Sequence, residues 1–169
     1  EFLYETSLFP DLEYTFKHAL THEVAYGSLL LERRRGLHAR IVEAFEALAP
    51  ERVAEQVERL AHHALRGEVW EKAVTYCQQA GARAQERAAF REAVAAFEQA
   101  LQALAHLPED GDTRRLALDL RLAWGGVLNA LGEHGRCLAL SGEAEALARA
   151  LDDRARLVRP LGPPPRCGA

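Results

Sequence analysis

From Arg33 to about Leu151, apolar side chains return at a period close to 3.6, the spacing that lines them up on one helix face. Leu37, Ile41, Ala44, Phe45 and Leu48 make a first stripe, ended by Ala49-Pro50. Val53, Val57, Leu60, Ala61 and Ala64 make a second, ended at Gly67, where a left-handed cap is sterically free. The next stripe, Ala73, Val74, Cys77, Ala80, Gly81 and Ala84, is built of small side chains, which predicts a central helix that its neighbours approach closely. Phe90, Ala93, Val94, Phe97, Ala100, Leu101 and Leu104 follow, up to Leu107-Pro108. Glu109-Asp110-Gly111-Asp112 reads as an internal linker, with Asp112 or Thr113 placed to cap the helix after it. That helix carries Leu116, Leu120, Ala123, Trp124, Val127, Leu128 and Leu131; Gly132 to Gly135 turns the chain into a last helix, interrupted by Gly142. Composition agrees: about a third of the 169 residues are Ala or Leu, and Ile41 is the only isoleucine. With so few β-branched residues, a large sheet is not expected.

Before Arg33 the pattern changes. Leu12-Glu13-Tyr14-Thr15-Phe16 alternates like a short strand, and His18 to Leu31 reads as one helix, an order compatible with a winged-helix remnant. The chain opens on Glu1 without a methionine, and Pro160 with Pro163-Pro164-Pro165 stops any helix at the other end. Both features predict a piece of a longer protein with a Pro-rich tail. A net charge of −4 argues against binding polyanions by bulk electrostatics. Cys77, Cys137 and Cys167 are too far apart for a disulfide framework or a zinc cluster, which points to a reducing, cytoplasmic setting. No apolar run reaches the roughly 18 residues of a membrane span.

Two internal repeats set the expected architecture. Trp70-Glu71-Lys72-Ala73-Val74 with Ala80 returns as Phe90-Arg91-Glu92-Ala93-Val94 with Ala100, the second-helix pattern of tetratricopeptide-like hairpins. Leu118 to Leu151 fits a fuller frame: Trp124-Gly125 as the first-helix contact pair, Gly132 as the turn, Cys137 and Ala144 as small positions of the second helix. An irregular helical bundle is the alternative; recurrence in register favours repeats.

Candidate chemical sites are few. His18 and His22 are four apart with Glu23 adjacent, a metal-compatible spacing, but no third ligand follows and His62-His63 point to different faces. No metal site is therefore expected. Arg33-Arg34-Arg35 with Arg40 forms a basic cluster among Glu32, Glu43 and Glu46, as a solvated helix start does, so nucleic acid is not expected as a partner. There is no Gly-Lys pair for a phosphate-binding loop and no Gly-x-Ser-x-Gly elbow. Cys77 and Cys137 occupy core-like positions rather than activated ones.

Phe2-Leu3-Tyr4-Glu5-Thr6, the run from Tyr14 through His18-Ala19-Leu20-Thr21-His22-Glu23-Val24-Ala25 to Tyr26, Leu29-Leu30, Arg33-Arg34-Arg35 and Leu37-His38 form a distinctive series. It closely resembles the segment after the ATPase module in bacterial proteins that fuse class III adenylate/guanylate cyclase domains, a STAND/AAA-type ATPase and a tetratricopeptide array. Trp70-Glu71-Lys72-Ala73, Phe90-Arg91-Glu92-Ala93 and Glu143-Ala144-Glu145-Ala146-Leu147-Ala148 are also similar to that family, which extends the resemblance over roughly residues 1–156. The break into Arg159-Pro160-Leu161-Gly162-Pro163 departs from it.

The resemblance implies an all-α, tetratricopeptide-like solenoid of antiparallel helix pairs after a short winged-helix remnant. Residues 1–48 would be the remnant and connecting helices, 49–156 the repeats and 157–169 a disordered tail. It further implies a non-catalytic regulatory arm, holding a protein or peptide partner in its groove and relaying that binding to an intramolecular ATPase domain and a cyclase. The alternative is the arm of a STAND-type ATPase transcriptional regulator with a DNA-binding output domain. No cofactor is expected in this segment, ATP or ADP with Mg being implied for the parent protein. His18 is similar in position to a histidine that contacts nucleotide phosphate in such ATPases; a histidine packed in the strand–helix joint is the other reading.

Overall fold

The computed structural model describes residues 3–7, 13–16 and 18–151, with backbone alone for the first two stretches. Strand β1 (Leu3–Ser7) pairs antiparallel with β2 (Glu13–Phe16), Leu3 opposite Phe16 and Tyr4 opposite Thr15. Alternation announces β2; β1 is an addition to the expected pattern. Helices α1 (Ala19–Ser28), α2 (Leu31–Leu48), α3 (Val57–Arg66), α4 (Trp70–Glu86), α5 (Phe90–Leu104), α6 (Gly111–Ala130) and α7 (His134–Ala150) follow, with short 3-10 turns at Pro50–Arg52 and Ala54–Gln56. The single helix expected from His18 to Leu31 is in fact two. Leu29 and Leu30 take extended ψ values of 136° and 145°, which the helical ladder cannot pass through. The tail expected over 157–169 lies outside the described residues.

Helices α2 to α7 each pack on the next in chain order. A single apolar cluster runs through them from Val42 to Leu140, and a smaller one of Leu118, Ala144 and Ala148 closes the α6–α7 end. What lets neighbours meet is a shared register in α4, α5 and α7. Counting from Trp70, Phe90 and His134, the third residue on is Ala73, Ala93 or Cys137, and all three are buried. The tenth is Ala80, Ala100 or Ala144, again buried. Short side chains at those positions bring the helix axes together while Phe97, Leu60, Leu120 and Leu128 fill the space between. At Gly81 the approach is close, since an added Cβ would sit 2.8 Å from the ring of Phe97, itself 1% exposed.

The same three helices are entered through the same turn. Val69 N–H bonds to Ala64 O at 2.9 Å, Ala89 N–H to Ala84 O at 2.8 Å and Glu133 N–H to Leu128 O at 2.9 Å. The residue before each has positive φ: Glu68 (54°), Ala88 (58°) and Gly132 (75°). This is the Schellman arrangement, which satisfies the last carbonyls of one helix while reversing the chain. The expected left-handed cap at Gly67 is thus displaced by one residue; Gly67 has φ −84°. A side chain there is excluded by proximity instead, its Cβ falling 2.7 Å from the Ala39 backbone nitrogen of α2. The α5–α6 link differs. Asp110, not Asp112 or Thr113, is the cap: its carboxylate accepts from the N–H groups of Asp112 and Thr113, and the Thr113 hydroxyl oxygen in turn accepts from Asp110 N–H. Helix α6 accordingly starts inside the expected linker.

The first apolar stripe is the main correction to the sequence reading. Leu37 and Ile41 are about two-fifths exposed and Leu48 is 84% exposed, whereas His38 and Val42 face α3. One residue along a helix is a rotation of about 100°, so a face offset by one position covers a different set of side chains.

Glycine substitutions separate close approach from mere helix propensity. Gly81→Ala is expected to cost about 1–3 kcal/mol because the Phe97 ring has no room to yield. Gly142→Ala, with nothing within 4 Å of the added carbon, is expected to gain up to about 1 kcal/mol. Urea unfolding of the two variants against the parent chain measures both signs.

Candidate interaction grooves and the histidine joint

Two of the grooves among the described residues border α5. One of 460 Å³ has Leu101 and Leu104 of α5 and Leu147 of α7 among its lining, with Arg114 and Arg121 of α6 at its edge. Those cations are paired: Arg114 Nε with Glu109 at 3.0 Å and Arg121 Nε with Glu143 at 2.9 Å. The second, 310 Å³, lies between α3 and α5 over the small face of α4, where Cys77, Ala80 and Ala84 line it. Helix α5 borders both. Trp70 does not reach either groove; its ring stacks on His106 at 3.9 Å, so it works as a contact between elements, as the hairpin pattern predicts. Trp124 is half-buried under the Arg136 guanidinium, 5.6 Å from the ring centre.

His18 stands at the N-cap of α1 with an exposed side chain that makes no cap bond. Its carbonyl accepts from Thr21 N–H at 3.0 Å. The ring is thus presented to solvent rather than packed in the strand–helix joint. The His22 side chain, its proposed neighbour on the helix face, lies outside the described residues. Among the described residues no group of three histidine, cysteine or acidic side chains is placed to hold a metal ion. Cys77 is buried among apolar neighbours, which push its thiol up to about 11, and Cys137 is buried with its thiol directed at Gly125 O.

Sequence reasoning missed the most polar part of the interior. His38 of α2, 9% exposed, lies between α1 and α3. Its Nε2 is 2.9 Å from the Tyr26 hydroxyl of α1 and its Nδ1 is 2.8 Å from Nδ1 of His63 on α3. The His62 ring is edge-on to His38 at 6.0 Å, and the guanidinium of Arg34 covers Tyr26. Burial first, then the nearby His62 and Arg66 charges, hold His38 below its ordinary 6.5; burial first, then His38, His62 and Arg59, do the same to His63. The basic cluster of α2 is partly absorbed here, since Arg35 pairs with Glu68 at 2.8 Å and Arg34 Nε donates to Leu29 O at 3.0 Å. A sequence signal existed only in the paired His62-His63; nothing marked His38, 25 residues from His63, as their partner.

A second polar link ties α2 to α4. Lys72 Nζ donates to Glu46 at 2.6 Å and the Tyr76 hydroxyl donates to the other carboxylate oxygen. Desolvation alone would raise Glu46, but the two hydrogen bonds outweigh it and hold the carboxyl below its ordinary value. No family model, curated protein or solved structure matches the chain.

Tyr76→Phe removes one donor from Glu46 while keeping the ring in the core. The expected loss is about 1 kcal/mol in urea unfolding at neutral pH. The difference should shrink as the pH falls below the ordinary carboxyl range, where Glu46 becomes protonated and the Tyr76 hydroxyl of the parent chain loses its charged acceptor.

Proposed function

We propose that the chain is a non-catalytic, tetratricopeptide-like interaction arm of a larger signalling protein, holding a protein or peptide segment in the grooves beside α5 and relaying that binding to an ATPase domain and a cyclase elsewhere in the parent. The observation that carries this reading is the in-register recurrence of Ala73, Ala93 and Cys137, and of Ala80, Ala100 and Ala144, in helices entered by the same turn. Stacks of this kind leave extended grooves between helices rather than one deep pocket, and such grooves accept extended or helical segments. In the larger groove an apolar lining next to paired Arg121 and Glu143 suits a segment with an apolar anchor and a flanking charge.

Docking of a neighbouring module has its own support. Leu20 and Val24 of α1, with Leu30, Leu31, Leu37, Ile41 and Leu48, leave the α1–α2 end rich in exposed large apolar side chains. Concentrations of this kind mark contact surfaces. The ribbon of β1 and β2 followed by α1 supports the winged-helix remnant in the same end, and His18 is exposed there. In this reading the arm shifts the balance between two arrangements by as much as its partner's affinity for them differs.

Peptides selected from a random display library on the chain provide the test. Their affinity is expected to fall at least about tenfold on Arg121→Ala with Leu147→Glu, and to be unaffected by the outward-facing Glu86→Ala. Unchanged binding by the groove variant, with the helical circular dichroism preserved, contradicts the groove assignment. Formation of cyclic nucleotide or free phosphate from ATP by the pure chain contradicts the non-catalytic assignment.

A further inference from the structure

The polar interior is concentrated where α1 and α2 meet the rest of the stack. Helix α2 is tied to α1 through Tyr26, to α4 through Glu46 and to α3 through the histidine pair, and the contact with α3 depends on a proton count. Two Nδ1 atoms 2.8 Å apart bond only if one carries a hydrogen and the other a lone pair. If His63 donates, His38 carries its hydrogen on Nε2 and donates to the Tyr26 oxygen; if His38 donates, its Nε2 accepts the Tyr26 hydroxyl hydrogen. One added proton can be taken by a nitrogen outside the pair's bond. A second puts a hydrogen on each facing nitrogen and sets two cations against each other with no acceptor between them.

Among the described residues, the charged groups that face the pair are cationic. Around the pair stand Tyr26 from α1, Arg34 from α2, and Arg59, His62 and Arg66 from α3. Glu68, the carboxylate at this edge, is engaged by Arg35. Gly67 brings the end of α3 close to the Ala39 backbone of α2, where an added Cβ would fall 2.7 Å from the Ala39 nitrogen. The other anchor of α2, Glu46 with Lys72 and Tyr76, keeps its charge until lower pH.

We propose that the α2–α3 joint is a pH-responsive clasp, holding α1 and α2 on the stack while the His38–His63 pair shares a single hydrogen and releasing them when both rings are charged. The clasp is independent of whether the chain serves as an interaction arm. Its sign follows from linkage. Both rings bind protons more weakly in the folded chain than in the unfolded one, so their contribution is present above about pH 6.5 and is lost progressively as the pH falls below it, through the lowered values of the folded chain.

Native-state hydrogen exchange of the full chain near pH 7.5 and pH 5.5, corrected for the intrinsic pH dependence, reads the clasp directly. Protection of the α2 amides from Ile41 to Phe45 is expected to fall about tenfold at the lower pH, with α4 and α5 changing less than about twofold. His63→Asn keeps a polar group opposite His38 Nδ1 but cannot be charged, and is expected to remove the pH effect on α2. Equal α2 protection at both pH values, or the same loss in His63→Asn, overturns the proposal. Imidazole nitrogen NMR of the unaltered chain gives a second reading: His38 and His63 titrating below 6.5 supports the clasp, and either titrating at or above that value overturns it.

Discussion

Close approach of helix backbones over small side chains is the constraint on which the rest of the structure depends. With alanine, cysteine or glycine at the contact, two helices can sit near the lower end of the usual interaxial range, and every larger side chain around the contact then meets more atoms. Phe97 illustrates the gain: its ring lies against Gly81 and is almost wholly buried. The Schellman turns serve the same end. By satisfying the terminal carbonyls internally they let the chain reverse within a few residues, so the next helix starts in register with the last.

A stack assembled by neighbour contacts has ends, and the two ends here are unlike. At α7 the small cluster of Leu118, Ala144 and Ala148 continues the apolar interior, helped by Leu122 and Leu151. At α2 the interior thins to Val42 and Phe45, and polar links take over: the paired histidines, Arg35 with Glu68, and Glu46 with Lys72 and Tyr76. Polar links of this kind are specific in geometry and sensitive to protonation, whereas apolar contacts are neither. The outward apolar face of α1 and α2 belongs to the same end.

The helical interior was legible because it rests on periodicity. Ala73, Cys77, Ala80, Ala93, Ala100, Cys137 and Ala144 are all buried as their spacing requires, and Gly132 turns the chain where expected. What periodicity could not decide was which face of α2 is covered, because Leu37 and Ile41 compete with His38 and Val42 and the larger apolar set does not win. Glu68 and Ala88 hold left-handed positions that only the turn geometry reveals, since neither residue type prefers them. Asp110 replaced Asp112 and Thr113 as the cap through a shift of the helix start by a few residues toward the N-terminus. The histidine joint was invisible for a different reason: its members lie 12 and 25 residues apart and meet only through the α1–α2 and α2–α3 contacts.

The unfolding free energy of Ala93→Leu tests most directly the claim that short side chains at the helix contacts hold the stack together. Ala93 is fully buried, so a branched side chain there must push neighbouring helices apart. A loss of about 1–3 kcal/mol is predicted, with helical content retained. A neutral or stabilising substitution would mean that the helices were never in close contact at that position.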